Sequence, residues 1–473
     1  MNQERLEKIR AYFASKWYIL TVSLLVILAH TTVFFNGRML LGGYQEFIFG
    51  GLMLLLASFG CFVCTDLRFM IMPFVTFIFL VTLEHSPNVP DYSLFYIQPL
   101  PLTLIIFLAC VLFGSIIWFA VKNRKHANPI SWKGSAFLGM AVFCGGLLIN
   151  GFFSSQYTFS DTIYPISFLL SLLGVYLLFA LFIRFDGSSM EYFMTCLLAT
   201  GLIICAELLL AYVMGGVRFD ENGDLIKESV MLGWGVWTAI GGMLVFLMPV
   251  CFYFAHSHAH GWVYYLLGLL EYVCIFLSQS RGALLFGTAV LGLCVLVLFF
   301  DGKNRKSNRI ITGVILLAGV LGVILLWNRL AGVVNNYLEY GFSDNGRYDK
   351  WRVGWSNFLK APVFGSGFYT TFEYGDWEKA VYPYLYHNTL IQILSSCGVV
   401  GMAAYLYHRY CTVRLVFVNR NPMKLFLGIG ILGLISFSLL DVLFFNTYPT
   451  IIYSLMLLFM EKSELLHGKD GAV

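Results

Sequence analysis

The sequence predicts an all-α polytopic transmembrane bundle of about 12–14 spans, with one large loop on the outer face of the membrane that contains an amphipathic helix. Three observations predict it. The 473 residues are 59% hydrophobic and only 12% charged, too few charges to clothe a soluble protein of this size. Apolar runs of roughly 18–25 residues recur along the chain, long enough to cross a hydrocarbon core of about 30 Å as helices. Basic clusters fall in alternate connections, because short loops rich in Lys and Arg resist translocation.

Taken in order, the first apolar run starts near Trp17, behind Arg5, Lys8, Arg10 and Lys16, and leads into FFNGRML. No small-residue cleavage site follows it, so it reads as a retained first span. Further spans are expected to start near Phe47, Phe69, Leu100, Gly134, Ile163, Tyr192, Met231, Trp262, Ala283, Ile310, His387, Leu425 and Thr447. The basic N-terminal tail, KNRKH after Val121, KNRKSNR after Gly302, and Arg409, Arg414, Arg420 and Lys424 all land inside. The EHSPNVPDYS and FSSQYTFSD connections hold no Lys or Arg and land outside, so both termini are expected in the cytoplasm. The net charge of +4 is then a topology signal and not a nucleic-acid footprint.

The cysteines lie almost entirely within the spans, and the long loop has none, so no disulfide framework is implied. Cys61 and Cys64 form a CxxC without further ligands nearby and read as small apolar packing. His256, His258 and His260 fall in a tight inner turn and read as ordinary polar residues there. The expected organisation is an N-terminal bundle over 1–230 of about seven spans, a second transmembrane region over 231–461 that includes the outer loop 329–386, and a cytoplasmic tail over 462–473.

The segment from Asn328 to Tyr386 is far too long for a plain connection, and Trp351, Trp355 and Trp377 argue against disorder. Within it, DKWRVGWSNFLKAP sets Trp351, Trp355, Phe358 and Leu359 on one face of a helix suited to a membrane surface. Ser343 or Asp344 is its expected N-cap, and Pro362 with Phe364–Gly367 its stop.

Ten of the 30 lysines and arginines fall outside: Arg38, Arg218, Lys227, Arg281, Arg329, Arg347, Lys350, Arg352, Lys360 and Lys379. Positive charge on the translocated side runs against the usual bias, and recognition of an anionic substrate is one reason for it. Arg281, in FLSQSRGALLFG, interrupts two apolar runs at the outer surface, with Gly282 expected to allow a tight turn. A guanidinium there can grip phosphate oxygens in pairs. His387, where the loop re-enters the membrane, faces the same side, and a neutral imidazole can take a proton from an attacking hydroxyl. Glu271, Glu207 and Asp441 lie in apolar surroundings and are expected to face the bundle interior, with structural and functional readings equally open.

SQSRG at Ser278–Gly282, NGRYDKW at Asn345–Trp351, PVFGSG at Pro362–Gly367 and HNTLIQILSSCGVVG at His387–Gly401 occur in that order. Together they resemble the O-antigen ligase and polymerase superfamily of bacterial surface-polysaccharide enzymes, over about Met231–Leu406. The resemblance implies a GT-C-like fold in the bacterial cytoplasmic (inner) membrane. It further implies an enzyme, a metal-independent glycosyltransferase without cofactors, that moves glycan from an undecaprenyl-diphosphate-linked oligosaccharide to a hydroxyl of a glycan or lipid acceptor at the outer face. Other polysaccharide-assembly membrane proteins are implied partners, and nucleic acid is not. By the same resemblance His387 is the general base and Arg281, Arg347 and Arg352 hold the diphosphate; Asn388 and Glu271 are candidate supporting residues. The ligase pattern has Ser after the His and Leu four residues after it. Here Asn388 and Ile391 stand in those places, while Gly398 and Leu285 agree with the pattern. The rival expectation is a transporter or flippase of a lipid-linked glycan or small anion, for which Glu207 and Glu271 speak.

Overall fold

The computed structural model describes residues 3–30, 44–81, 99–130, 132, 134–221, 225–232, 234–325, 346–373, 376–379 and 383–470. Arg38, the EHSPNVPDYS connection, Arg329 and the expected caps Ser343 and Asp344 lie outside these residues. The described residues are helical nearly throughout. The helices are α1 Gln3–Phe13, α2 Lys16–Ala29, α3 Gln45–Val63, α4 Ile71–Val81, α5 Pro99–Asn123, α6 Ser135–Phe153, α7 Ser160–Leu169, α8 Val175–Phe182 and α9 Gly187–Val213. They continue with α10 Trp237–Leu247, α11 Pro249–Ser257, α12 Gly261–Leu277, α13 Arg281–Phe300, α14 Arg305–Leu325, α15 Arg347–Lys360, α16 Thr389–Phe417, α17 Pro422–Phe437 and α18 Thr447–Asp470. Among the described residues seven helical stretches are long and apolar enough to cross a membrane, and α1 with α2 makes an eighth if that pair, bent by 60°, is one span. Four further apolar helices are shorter.

Span starts expected at Gly134, Ala283, His387 and Thr447 fall close to the observed α6, α13, α16 and α18. The one expected at Met231 does not. Met231–Leu232 (β1) and Gly235–Val236 (β2) form a small antiparallel hairpin, and the helix begins at Trp237. The hairpin is held because Trp234, fully buried, donates its Nε1–H to Glu207 Oε2 at 2.9 Å. The other oxygen of Glu207 bonds His30 Nδ1 at 2.7 Å. Glu207 thus ties the end of α2, α9 and the hairpin together, and its burial is satisfied by two partners.

Helices from both sides of residue 230 pack into one another. Gly139 and Gly146 of α6 meet Cys411 and Ala404 of α16 so closely that a Cβ would come to 2.8 and 2.7 Å of theirs. This is an antiparallel seam of small residues, the device by which helices in lipid gain contact. Phe193 of α9 stacks on Phe459 of α18 with centroids 4.0 Å apart. Trp17, Trp118, Trp132 and Trp262 are all exposed, by 71, 53, 62 and 50%. They stand at the ends of α2, α5, α6 and α12, where aromatic side chains are expected at a membrane interface.

Candidate active site

The site lies at the opposite end of the bundle, where three segments meet. The first is the start of α16. Asn388 is its N-cap, its Oδ1 accepting the backbone N–H of Leu390 (2.9 Å) and Ile391 (3.1 Å). Asn and Ser are both strong N-caps, so either residue type suits this position. The cap is also a clasp. Thr389 N–H donates to Ser438 O at 2.8 Å and Asn388 Nδ2 to Leu439 O at 2.9 Å, which stitch the start of α16 to the turn between α17 and α18.

That stitching delivers Asp441 to His387. His387 Nδ1 lies 3.2 Å from Asp441 Oδ1, and Lys350 Nζ, from α15, lies 3.0 Å from His387 Nε2. An ammonium has donors only and an ionised carboxylate acceptors only, so the hydrogen sits on Nδ1 and the Nε2 lone pair is the basic one. Burial pushes the Asp441 carboxyl up, but the hydrogen bonds from His387 and the Val442 N–H and the Arg347 charge outweigh it and hold the group below the usual carboxylate value. His387 itself is held at φ 50°, in the left-handed region that non-glycine residues rarely adopt. Such a conformation persists where neighbours over-determine it, and it clusters at functional sites.

The second segment is α15. Its packed face carries Arg347, Lys350, Gly354 and Asn357. Gly354 and Asn357 are buried, and a Cβ on Gly354 would stand 2.4 Å from Ile391. Asn357 bonds Thr371 Oγ1 (3.2 Å), Phe372 N–H (2.6 Å) and the Tyr386 hydroxyl. Thr370–Glu373 (β3) and Asp376–Lys379 (β4) form a hairpin that the sequence did not suggest. Of the four residues expected on the membrane-facing side, Trp355 and Leu359 are exposed, as is Tyr348, whereas Trp351 and Phe358 are half-buried. The helix starts directly after Gly346, which stands at its N-cap.

A break in α16 supports both. Gly398, at φ 62° and ψ −161°, interrupts the helix, and the PVFGSG turn fills the gap. Val399 N–H donates to Pro362 O (2.9 Å), Ser366 N–H to Ser395 O (2.9 Å) and Gly367 N–H to Ser396 O (3.1 Å). A Cβ at Gly398 would meet Val363 O at 2.4 Å, so the glycine serves both its conformation and this approach. The turn is tied in addition to the N-terminal half, through Ser155 N–H to Gly365 O (3.1 Å) and Tyr369 N–H to Asp161 Oδ1 (3.1 Å).

The third segment brings the cations. Arg281 is exposed at the first position of α13, which Ser280 caps by accepting the Ala283 N–H at 3.3 Å. The turn before it is made by Gln279, at φ 59°, and not by Gly282 as expected; Gly282 sits inside α13 against Leu440. Lys227, from the α9–α10 connection, completes the group. Its amine is lowered from the ordinary value first by burial, then by the charges of Arg281 and Arg347, against the pull of Glu228. It also stands 5.2 Å from the Trp237 ring. Arg347 therefore acts electrostatically on both Lys227 and Asp441 and links the cation cluster to the His–Asp pair.

Of the residues expected in the site, the structure brings together His387, Asn388, Arg281 and Arg347. Arg352 is 84% exposed on the opposite face of α15, 3.5 Å from Asp349. Glu271 is buried deep in the bundle, accepting from Cys251 Sγ at 3.2 Å and pressed on Gly201, with no link to the cations or His387 among the described residues. Lys227 and Lys350 stood out in the sequence only as two of the ten outer cations, and Asp441 only as an interior acid whose role was open; none of the three was assigned to the site. Lys350 was findable, being one turn from Arg347 on the same helix face. Among the described residues no group of three or more His, Cys, Asp or Glu side chains is placed to hold a metal ion. His256 of the HSHAH turn stands instead 3.5 Å from Asp301.

Residues 263–406 match the family described as O-Antigen ligase, the family to which the motifs point; the match begins at residue 263, beyond the expected start near Met231. No curated protein matches the chain.

Proposed function

We propose that the chain is a membrane enzyme of bacterial surface-polysaccharide assembly, which transfers or polymerises glycan from an undecaprenyl-diphosphate-linked donor onto an acceptor hydroxyl at the outer face of the cytoplasmic membrane. The family match over 263–406 supports the coarse reading, polysaccharide assembly in a membrane. The observation that carries the chemistry is the meeting of a His387–Asp441 pair with Arg281, Arg347 and Lys227.

In this reading the acceptor hydroxyl gives its proton to His387 Nε2 as its oxygen bonds to the anomeric carbon. The bond from that carbon to the diphosphate oxygen breaks, and the electron pair leaves on the phosphate. Arg281, Arg347 and Lys227 meet the growing negative charge, which is the largest electrostatic demand of the step. Asp441 is a positioning residue: it holds Nδ1–H and stabilises the imidazolium that forms. Lys350 has two stations. At rest it occupies Nε2, where the acceptor must bind; an incoming diphosphate draws its ammonium away and frees the base. Donor before acceptor is the order this implies. Arg352, on the far side of α15, is given no role in holding diphosphate.

Purified protein reconstituted with donor lipid tests the reading. Elongation of the donor glycan marks a polymerase, transfer to an acceptor not linked to undecaprenyl a ligase, and movement of donor without new bonds a transporter. Transfer by wild type that persists in both His387→Ala and Arg281→Ala would sink the catalytic assignment.

A further inference from the structure

At the end of the bundle away from His387, a cavity of about 240 Å³ opens between α1, α3 and the end of α8, lined by Arg10, Arg68 and Arg184 over a floor of Phe13 and Phe69. Two of the arginines are already engaged. Arg10 Nε donates to Val63 O at 2.7 Å at the C-terminus of α3, where Lys122 Nζ also donates to Phe62 O at 2.6 Å. Arg68 donates to Asp66 Oδ2 from Nε (3.1 Å) and Nη2 (2.9 Å) and to Ser188 Oγ (2.8 Å), and stands 3.7 Å from Asp186. Arg184 is exposed at the rim, and its guanidinium has no carboxylate partner among the described residues. Three arginines thus stand against two carboxylates, Asp66 in the lining and Asp186 behind Arg68, a surplus that a phosphate can neutralise.

The surroundings say what bears the phosphate. Trp17 follows the bend between α1 and α2, and Phe59, Phe62 and Trp118 beside the cavity are 46, 51 and 53% exposed, a surface for acyl chains. The rings of Phe62 and Trp118 lie 6.2 Å apart and continue that surface onto α5. A basic pocket at headgroup depth beside a lipid-facing wall is the arrangement that binds anionic phospholipid. We propose that this cavity is a headgroup site for an anionic phospholipid of the cytoplasmic leaflet, which seats the surface helix α1 against α3 and α8.

The test uses full-length protein in neutral detergent, with phosphatidylglycerol, phosphatidylcholine and inorganic phosphate as probes, read by thermal shift and by native mass spectrometry. Phosphatidylglycerol is expected to raise Tm and stay bound, and the other two are not. Arg184→Gln, at an exposed position that leaves folding intact, is expected to weaken phosphatidylglycerol binding by about tenfold, the loss of one charge-assisted bond. Lys379→Gln, exposed on β4, is expected to change nothing. Equal shifts from phosphatidylcholine, a full shift from inorganic phosphate alone, or undiminished binding by Arg184→Gln would each overturn the site.

Discussion

Replacing Asp441 by Asn keeps the size and shape of the side chain next to His387 but removes its charge. The 3.2 Å contact to Nδ1 is then a neutral hydrogen bond, and an amide offers donors as well as an acceptor, so the wrong imidazole tautomer becomes accessible. Bare attraction between unit charges at that separation is about 5 kcal/mol at an effective dielectric of 20, which is a ceiling. The net worth of a hydrogen bond to a charged group is about 1.5–3 kcal/mol. Since this bond gains its charged form only as His387 takes the proton, the loss falls on kcat and leaves donor KM unchanged. At 1.4 kcal/mol per factor of ten, kcat should fall roughly 10- to 100-fold. His387→Ala, which removes the base itself, should cost about 10²–10⁴. Initial rates of glycan transfer in proteoliposomes, for both single variants and the double variant, provide the assay. Asp441 acts through His387, so the double variant should be no slower than His387→Ala alone. A further tenfold loss in the double variant, or a kcat in Asp441→Asn equal to wild type, refutes the positioning role.

Lys350→Met should let an acceptor analogue bind without donor, whereas wild type requires donor first; equilibrium binding by isothermal titration distinguishes the two. Lys227→Met removes a cation that its neighbours repel, so Tm should hold or rise while donor affinity falls by about tenfold; a matching loss of Tm would mark Lys227 as merely structural. Arg352→Ala should leave transfer within about twofold of wild type while Arg347→Ala abolishes it, since an exposed ion pair contributes little. Because Asp441 is held below its ordinary value, about 3.9, the stability it supplies is fully present above that pH and is lost as pH falls through the folded value. The part of the stability difference between wild type and Asp441→Asn that comes from this carboxylate should therefore narrow as pH falls below its ordinary value. Gly398→Ala should cost at least about 1–3 kcal/mol from its backbone conformation alone and detach the PVFGSG turn, which limited proteolysis of the loop would report while the spans remain inserted.

Several features were legible without coordinates because they are local. The 3.6-residue and long-run hydropathy patterns place α6, α13, α16 and α18, and the outward setting of Trp355 and Leu359 on α15 follows from their spacing. The capacity of Asn388 to cap a helix is likewise a property of one residue and its next three. Arg281, Arg347 and His387 stood out by charge or chemistry at one membrane face, which hydropathy alone defines. The hairpins at Met231–Val236 and Thr370–Lys379 were not legible, because their strands are too short to carry a period and are held by distant side chains, Glu207 and Asn357.

The sequence by itself determined the solvent and the class of fold, since both depend on composition and on the order of apolar and charged residues along the chain. Tertiary structure alone decided the partners. His387 meets Asp441, 54 positions away, because Asn388 and Thr389 bond the turn after α17. Lys350 reaches His387, and Arg352 does not, because the Gly354–Ile391 contact fixes the rotation of α15. A hydropathy pattern is blind to such pairings: they are short-range interactions between residues far apart in sequence, set by how helices pack and not by which residues they contain.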